Sequence, residues 1–183
     1  MNELKEKYNR LSKKELLESL NLTNVNQVPK IIKVIINSGV GRAVSDSKQL
    51  DFVVESLTKI SGQKPLATKA RRSIAGFKLR EGNQIGAKVT LRGDRMYYFL
   101  NRLVRVVIPR MRHFRGLPSS GFDLAGNYNI GIKEHTVFPE IPQEDVNITH
   151  GLQIQIVTTA KDKNQGIKLL KSLGFPMERS NNG

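Results

Sequence analysis

Two periods of apolar residues alternate along the chain. Leu4, Tyr8 and Leu11 lie at i, i+4 and i+7, and Leu16, Leu17 and Leu20 continue an apolar side after an adjustment of phase, so residues 1–25 read as a helical segment. Ser12 with Glu15 fits a capping box, which leaves two short helices as an alternative to one long one. "KIIKVIINSGVGR" (30–42), dense in isoleucine and valine, predicts a strand stopped by Gly39 and Gly41. A helix follows, with Asp46 or Ser47 as its cap, Leu50, Val53, Val54, Leu57 and Ile60 as its inner stripe, and Gly62 just past its end. "QKPLATKARR" predicts a short strand. "IGAKVTLRG" (85–93), with Ile85, Ala87, Val89 and Leu91 alternating, predicts another. The two form a hairpin whose long connection, "RSIAGFKLREGN", gains bends and flexibility from Gly76, Gly82 and Gly86.

"DRMYYFLNRLVRVVIP" (94–109) is an amphipathic helix. Asp94 sits at its positive end, Pro109 stops it, Met96, Leu100, Leu103, Val104 and Val107 face inward, and Arg95, Arg102 and Arg105 point elsewhere. Residues 110–127 are a glycine- and proline-containing loop of a length associated with function. "YNIGIKEH" and "GLQIQIVTTA" add two strands. "DKNQGIKLLKSLG" (162–174) adds a helix frayed by Gly166 and closed by Gly174, and residues 176–183 form a disordered tail. The order of elements predicts an α+β fold with RNP-like topology: a mostly antiparallel sheet of about five strands with helices on one face, all in one domain, 1–183.

Charge changes this picture more than composition does. The chain has 183 residues, no cysteine and a net charge of +14. Without cysteine there are no disulfides or thiolates, as suits a reducing compartment. No stretch reaches the ~20 apolar residues that span a bilayer, and the opening "MNELKEKYNR" has the pattern of neither a signal nor a transit peptide. Residues 64–115 hold 14 Lys+Arg against 2 acids, while the flanking segments are nearly balanced. A block of that kind calls for a polyanion whose counterions it releases.

Catalytic and metal-binding motifs are missing. His113, His135 and His150 have no metal-ligand spacing and read as isolated histidines. No serine stands in a nucleophile elbow, and the basic block lacks the acids that hold a catalytic metal. "NSGVGR" lacks the endings of a nucleotide-binding loop and reads as a tight turn, open to contact with RNA backbone. In the block, arginine outnumbers lysine ten to four, and Gln63, Thr68, Ser73, Asn83, Gln84 and Thr90 are interleaved with the charges. Aromatics are few (Phe77 and Phe114), which favours structured RNA over a single strand. No cofactor or metal is expected. The alternatives to a structural RNA-binding protein are an RNA-modifying enzyme and a general basic RNA chaperone.

Four stretches, "NSGVG", "ISGQKPLATKARRSIAGFKLREGNQIGAKVTLRG", "LVRVVIPRMRHFRG" and "GNYNIGIKEHTVFPEI", resemble in the same order the bacterial-type large-subunit ribosomal protein five family, from about Gln27 to Phe175. The resemblance implies a non-enzymatic, cytoplasmic ribosomal protein. It implies binding to 5S rRNA in the central protuberance near 23S rRNA and other 5S-binding ribosomal proteins, contact with P-site tRNA, and a bridge to the small-subunit head protein thirteen. It implies no membrane association. Carried over by motif, Asn37, Gln63, Lys64, Thr90 and Arg92 belong to the 5S rRNA surface. Arg71, Arg72, Lys78 and Arg80 belong to the tRNA-facing loop, and Arg110, Arg112 and Arg115 to the bridge. The chain departs from the family at His113 (usually an acid), Leu124 (a glycine) and His135 (a glutamine).

Overall fold

The computed structural model describes residues 3–41, 47–112, 114–142 and 148–178; Asp46 and His113 lie outside them. Five strands, β1 (Ile31–Gly39), β2 (Leu66–Lys69), β3 (Gln84–Leu91), β4 (Tyr128–Ile132) and β5 (Leu152–Thr158), form one sheet in the order β2-β3-β1-β5-β4. The sheet is antiparallel and helices pack against it, so the α+β expectation holds. The long helices are α3 (Ser47–Ser61) and α4 (Gly93–Arg102); leaving out β4, which lies between α4 and β5 in the chain and pairs outside β5, the order β1-α3-β2-β3-α4-β5 has the βαββαβ pattern. Contacts group the residues into two compact units. The first contains 1–34, 91–130 and 155–183; the second contains 35–90 and 131–154.

In the first unit the N-terminal segment is continuous: α1 (Glu3–Lys7), a π-helical turn over Tyr8–Ser12, and α2 (Lys13–Ser19). Its buried residues, Leu4, Tyr8, Ser12 and Leu16, are spaced by four. That spacing drifts around a regular helix of 3.6 residues per turn, and the wider π-turn takes up the drift. The same turn swings Leu11 outward to 64% exposure, against the sequence expectation. The capping box does not form either. The Ser12 side chain caps nothing and donates instead to the Ser172 carbonyl at 3.2 Å.

The helix over 93–110 is likewise one run, made of α4, a π-turn at Leu103–Val107 and α5 (Ile108–Arg110). Pro109 lies inside its last turn, one residue before the end, and Met96, Leu100, Leu103 and Val107 are buried as expected. Lys5 pairs with Asp94 at 2.6 Å, and Glu3 pairs with Arg105. The helix α6 (Lys163–Leu173) is capped by Asp162, whose carboxylate accepts from Gln165 N–H at 2.8 Å, and ends on Gly174 at φ +94°. Gly166 does not fray it. It is buried, and a Cβ there would stand 2.5 Å from the Gly126 carbonyl oxygen, so glycine permits a close approach between helix and loop. Pro176–Glu178 are fixed rather than loose: Leu117 N–H donates to Pro176 at 2.8 Å and Glu178 N–H to Leu117 at 2.9 Å.

In the second unit α3 buries Leu50, Val53, Leu57 and Ile60 and terminates at Gly62 with φ +68°, as the sequence predicts. Strand β3 alternates, with Ala87 and Val89 buried and Lys88 exposed. Gly86 belongs to this strand, not to the connection. A Cβ on it would lie 2.7 Å from the Ser38 carbonyl oxygen, so its part is to let β1 come close.

Candidate nucleic-acid interface

Period two places the candidate residues of the second unit. On β1, Ser38 and Ile36 are buried while Asn37 between them is half-buried on the opposite face. On β3, Lys88 and Thr90 share the face opposite Ala87 and Val89. The register Leu66↔Lys88 and Thr68↔Gly86 adds β2 to that face. Asn37, Thr68, Lys88 and Thr90 thus line an open face that offers donors, acceptors and a cation. Gln63, just past the turn at Gly62, donates its amide to the Thr90 carbonyl at 3.5 Å, and exposed Lys64 follows it. Asn37, Gln63, Lys64 and Thr90 therefore all lie in the second unit. Arg92 falls in the first, two residues beyond Thr90 along the chain. Lys88 shares this face but was not among the candidates from sequence, although its parity with Thr90 was legible there.

The connection between β2 and β3 is an ordered arm. Ala70 N–H donates to Asn83 at 2.8 Å and Gly82 N–H to Ala70 at 3.0 Å. Ile74 and Leu79 exchange bonds of 2.8 and 3.1 Å across a nested 3-10 turn, Ala75–Phe77. The Ser73 hydroxyl accepts from Glu81 N–H at 2.9 Å. Gly82 takes φ +87°, but so does a lysine take the left-handed region: Lys78 sits at φ +51°. Arg71, Arg72, Lys78 and Arg80 are all exposed along this arm, with Ile74 and Phe77 exposed at its tip.

Arg110, Arg112 and Arg115 are exposed in the first unit, at and just past the end of α5. The chain after them is held by the Leu117 bonds to Pro176 and Glu178, and by Tyr128, whose hydroxyl donates to the Pro118 carbonyl at 2.9 Å. Burial pushes the Tyr128 phenol up to about 12. The basic block divides evenly between the units: residues 64–90 and residues 91–115 each carry seven cations and one acid.

Two histidines that the sequence reads as isolated are partners. The rings of His135 and His150 stack at 4.0 Å and 13°, and Phe52 meets both edge-on. Burial and the neighbouring ring lower His150 to about 4, and burial lowers His135. Ser38 stands 3.2 Å from His150 Nδ1, but its hydroxyl donates to the Gly151 carbonyl at 2.8 Å, so this is a packed polar cluster and not a nucleophile with its base. Among the described residues no group of three or more metal-ligating side chains occurs, and no helix is long and apolar enough to cross a membrane.

Residues 24–80 match the family model described as Ribosomal protein L5, and residues 84–177 match the model of the same ribosomal family's C-terminus. The chain belongs to the ribosomal protein L5 family. Its relatives include the large ribosomal subunit protein uL5 of Acholeplasma laidlawii, 53% identical over 96% of this chain and 97% of that one. The protein of the same name from Ligilactobacillus salivarius is 52% identical over 98% and 99%. The L5 family is structural and non-enzymatic. The two family matches meet inside the arm and strand that carry most of the candidate residues of the second unit, so these positions lie within L5-type sequence on both sides.

Proposed function

We propose that this chain is a structural constituent of the large ribosomal subunit, working in the cytoplasmic ribosome, that holds 5S rRNA on the open sheet face of its second unit. The observation that carries the reading is the juxtaposition of Asn37, Thr68, Lys88 and Thr90 on one face beside Gln63 and Lys64. Asn, Gln and Thr bond sugars and base edges, and the lysines and Arg92 neutralise phosphate. The exposed cations of the arm, Arg71, Arg72, Lys78 and Arg80, meet P-site tRNA. Arg110, Arg112 and Arg115 face the small-subunit head protein thirteen, and 23S rRNA and the other 5S-binding proteins lie alongside. Family membership supports the ribosomal assignment, and the surface chemistry supports the division of labour.

Competition at moderate salt tests the reading. 5S rRNA is expected to displace tRNA and poly(U) from the sheet face, and equal affinities for all three would leave only a general RNA chaperone. Arg92→Ala should weaken 5S binding by about 1 to 3 kcal/mol, the loss of a charged hydrogen bond. The double change Arg71→Ala, Arg72→Ala should leave 5S binding intact and reduce tRNA retention.

A further inference from the structure

The geometry points to Phe77 as a stacking contact that receives one unpaired or helix-terminal nucleobase; this deepens the tRNA reading of the arm and rests on it. A phenylalanine 76% exposed at the tip of an ordered hairpin has no part in the core to account for it. It is not on a loose loop. Phe77 N–H donates to Ile74 at 3.2 Å, Lys78 N–H donates to Ala75 at 3.0 Å, and the Ile74–Leu79 pair closes the turn beneath. The ring is therefore presented by a backbone already fixed, so little ordering is lost when something settles on it.

The neighbour on its N-terminal side adds an independent observation. Gly76 does not have a left-handed φ, and a Cβ built on it would meet nothing within 4 Å. Neither backbone conformation nor internal packing requires glycine there. Its missing side chain leaves open space at the tip of the arm. A flat partner stacked at the tip has use for such space.

Charge selects the class of partner. Arg71, Arg72, Lys78 and Arg80 lie on the same arm, and Glu81 is the one acid between residues 64 and 90. An apolar pocket on another protein does not need that field, whereas a nucleic acid does. A base inside a duplex has both faces covered. A base in a loop, in a bulge or at a helix end offers one, and stacking tolerates any base identity.

The sequence holds no tryptophan, so Phe77→Trp creates a single reporter at the tip. Its emission should be quenched on titration with folded tRNA and with an RNA hairpin bearing one bulged nucleotide. A long, fully paired RNA duplex at the same nucleotide concentration, with few ends, should not quench it. Phe77→Ala and Phe77→Leu should each lower tRNA affinity about 5- to 100-fold, the range expected for one stacked base. Phe77→Tyr should stay within about threefold. Gly76→Val should lower affinity similarly while its melting curve and circular dichroism stay those of the parent. Full binding by Phe77→Leu would mean a merely apolar contact and would overturn the proposal, as would equal quenching by the long paired duplex. If Arg71→Ala, Arg72→Ala loses tRNA while Phe77→Ala does not, stacking is wrong and the tRNA reading stands. If neither change matters, the tRNA reading falls too.

Discussion

Gly166 shows how one residue can carry opposite meanings in sequence and in structure. As a helix interior glycine it reads as a weak point, since alanine is favoured there by about 1 kcal/mol. In the fold its bare Cα faces the Gly126 carbonyl with no room for a methyl group. Gly166→Ala is therefore expected to destabilise the protein by about 1 to 3 kcal/mol, the cost of overpacking, in urea unfolding. A more stable variant would mean that the loop yields. Close approaches of this kind are set by a residue far away along the chain and leave no local trace. Leu11 failed for a related reason: its i+7 relation to Leu4 holds only if the winding is regular. Asn37 and Thr90, by contrast, came from the motifs they share with the family, and strand parity sets both on the face opposite the buried residues.

At the scale of elements, strands and helix stripes were legible because burial on one face imposes a period of two or 3.6. The adjustment of phase after Leu11 is visible in the sequence, and the π-turn is its physical form. The arm was less legible. Its glycines suggest flexibility, but the order comes from backbone bonds between Ala70 and Asn83 and from Ser73, which pair residues across the connection. The arm is an outgrowth of a hairpin whose ladder, Leu66↔Lys88 to Lys69↔Gln84, stands without it. Replacing residues 71–82 by Asn-Gly, a favoured two-residue turn, should leave the melting temperature within a few degrees of the parent and 5S binding unchanged, with tRNA binding lost. Loss of 5S binding in that variant would show that the two surfaces are not separate.

At the scale of the molecule, the net charge of +14 is not spread like the sequence blocks suggest. The first unit carries nineteen basic and eight acidic residues, a net of +11, and the second eleven and eight, a net of +3. Both units thus have a claim on polyanions. For the RNA complex, log affinity should fall with log salt by roughly 0.7 per single-strand phosphate neutralised; a flat dependence would deny the electrostatic mechanism.

Acid should act through the histidine stack. An unfolded His150 titrates near 6.5, but in the fold it stays neutral down to about 4 because it is buried beside His135. Between those values the unfolded chain takes up a proton that the native one does not. Stability is thus full above pH 6.5 and is lost as pH falls toward 4. The loss should be about 1 to 3 kcal/mol after allowance for partial exposure. His135→Gln, which removes the repelling ring, should lose less between about pH 7 and 4.5 in urea midpoints. An identical pH profile would clear the stack of the effect. The pairing itself was invisible in the sequence, since fifteen residues and the turn between two strands separate the rings.

The N-terminal helix has a temporal consequence. Ser12 is tied to Ser172, and Lys168 reaches back to the Ser19 carbonyl at 2.7 Å. A helix made early is thus clasped by one made about 150 residues later. During synthesis α1 and α2 must wait for α6 to emerge before these bonds can form, and the first unit cannot close before then.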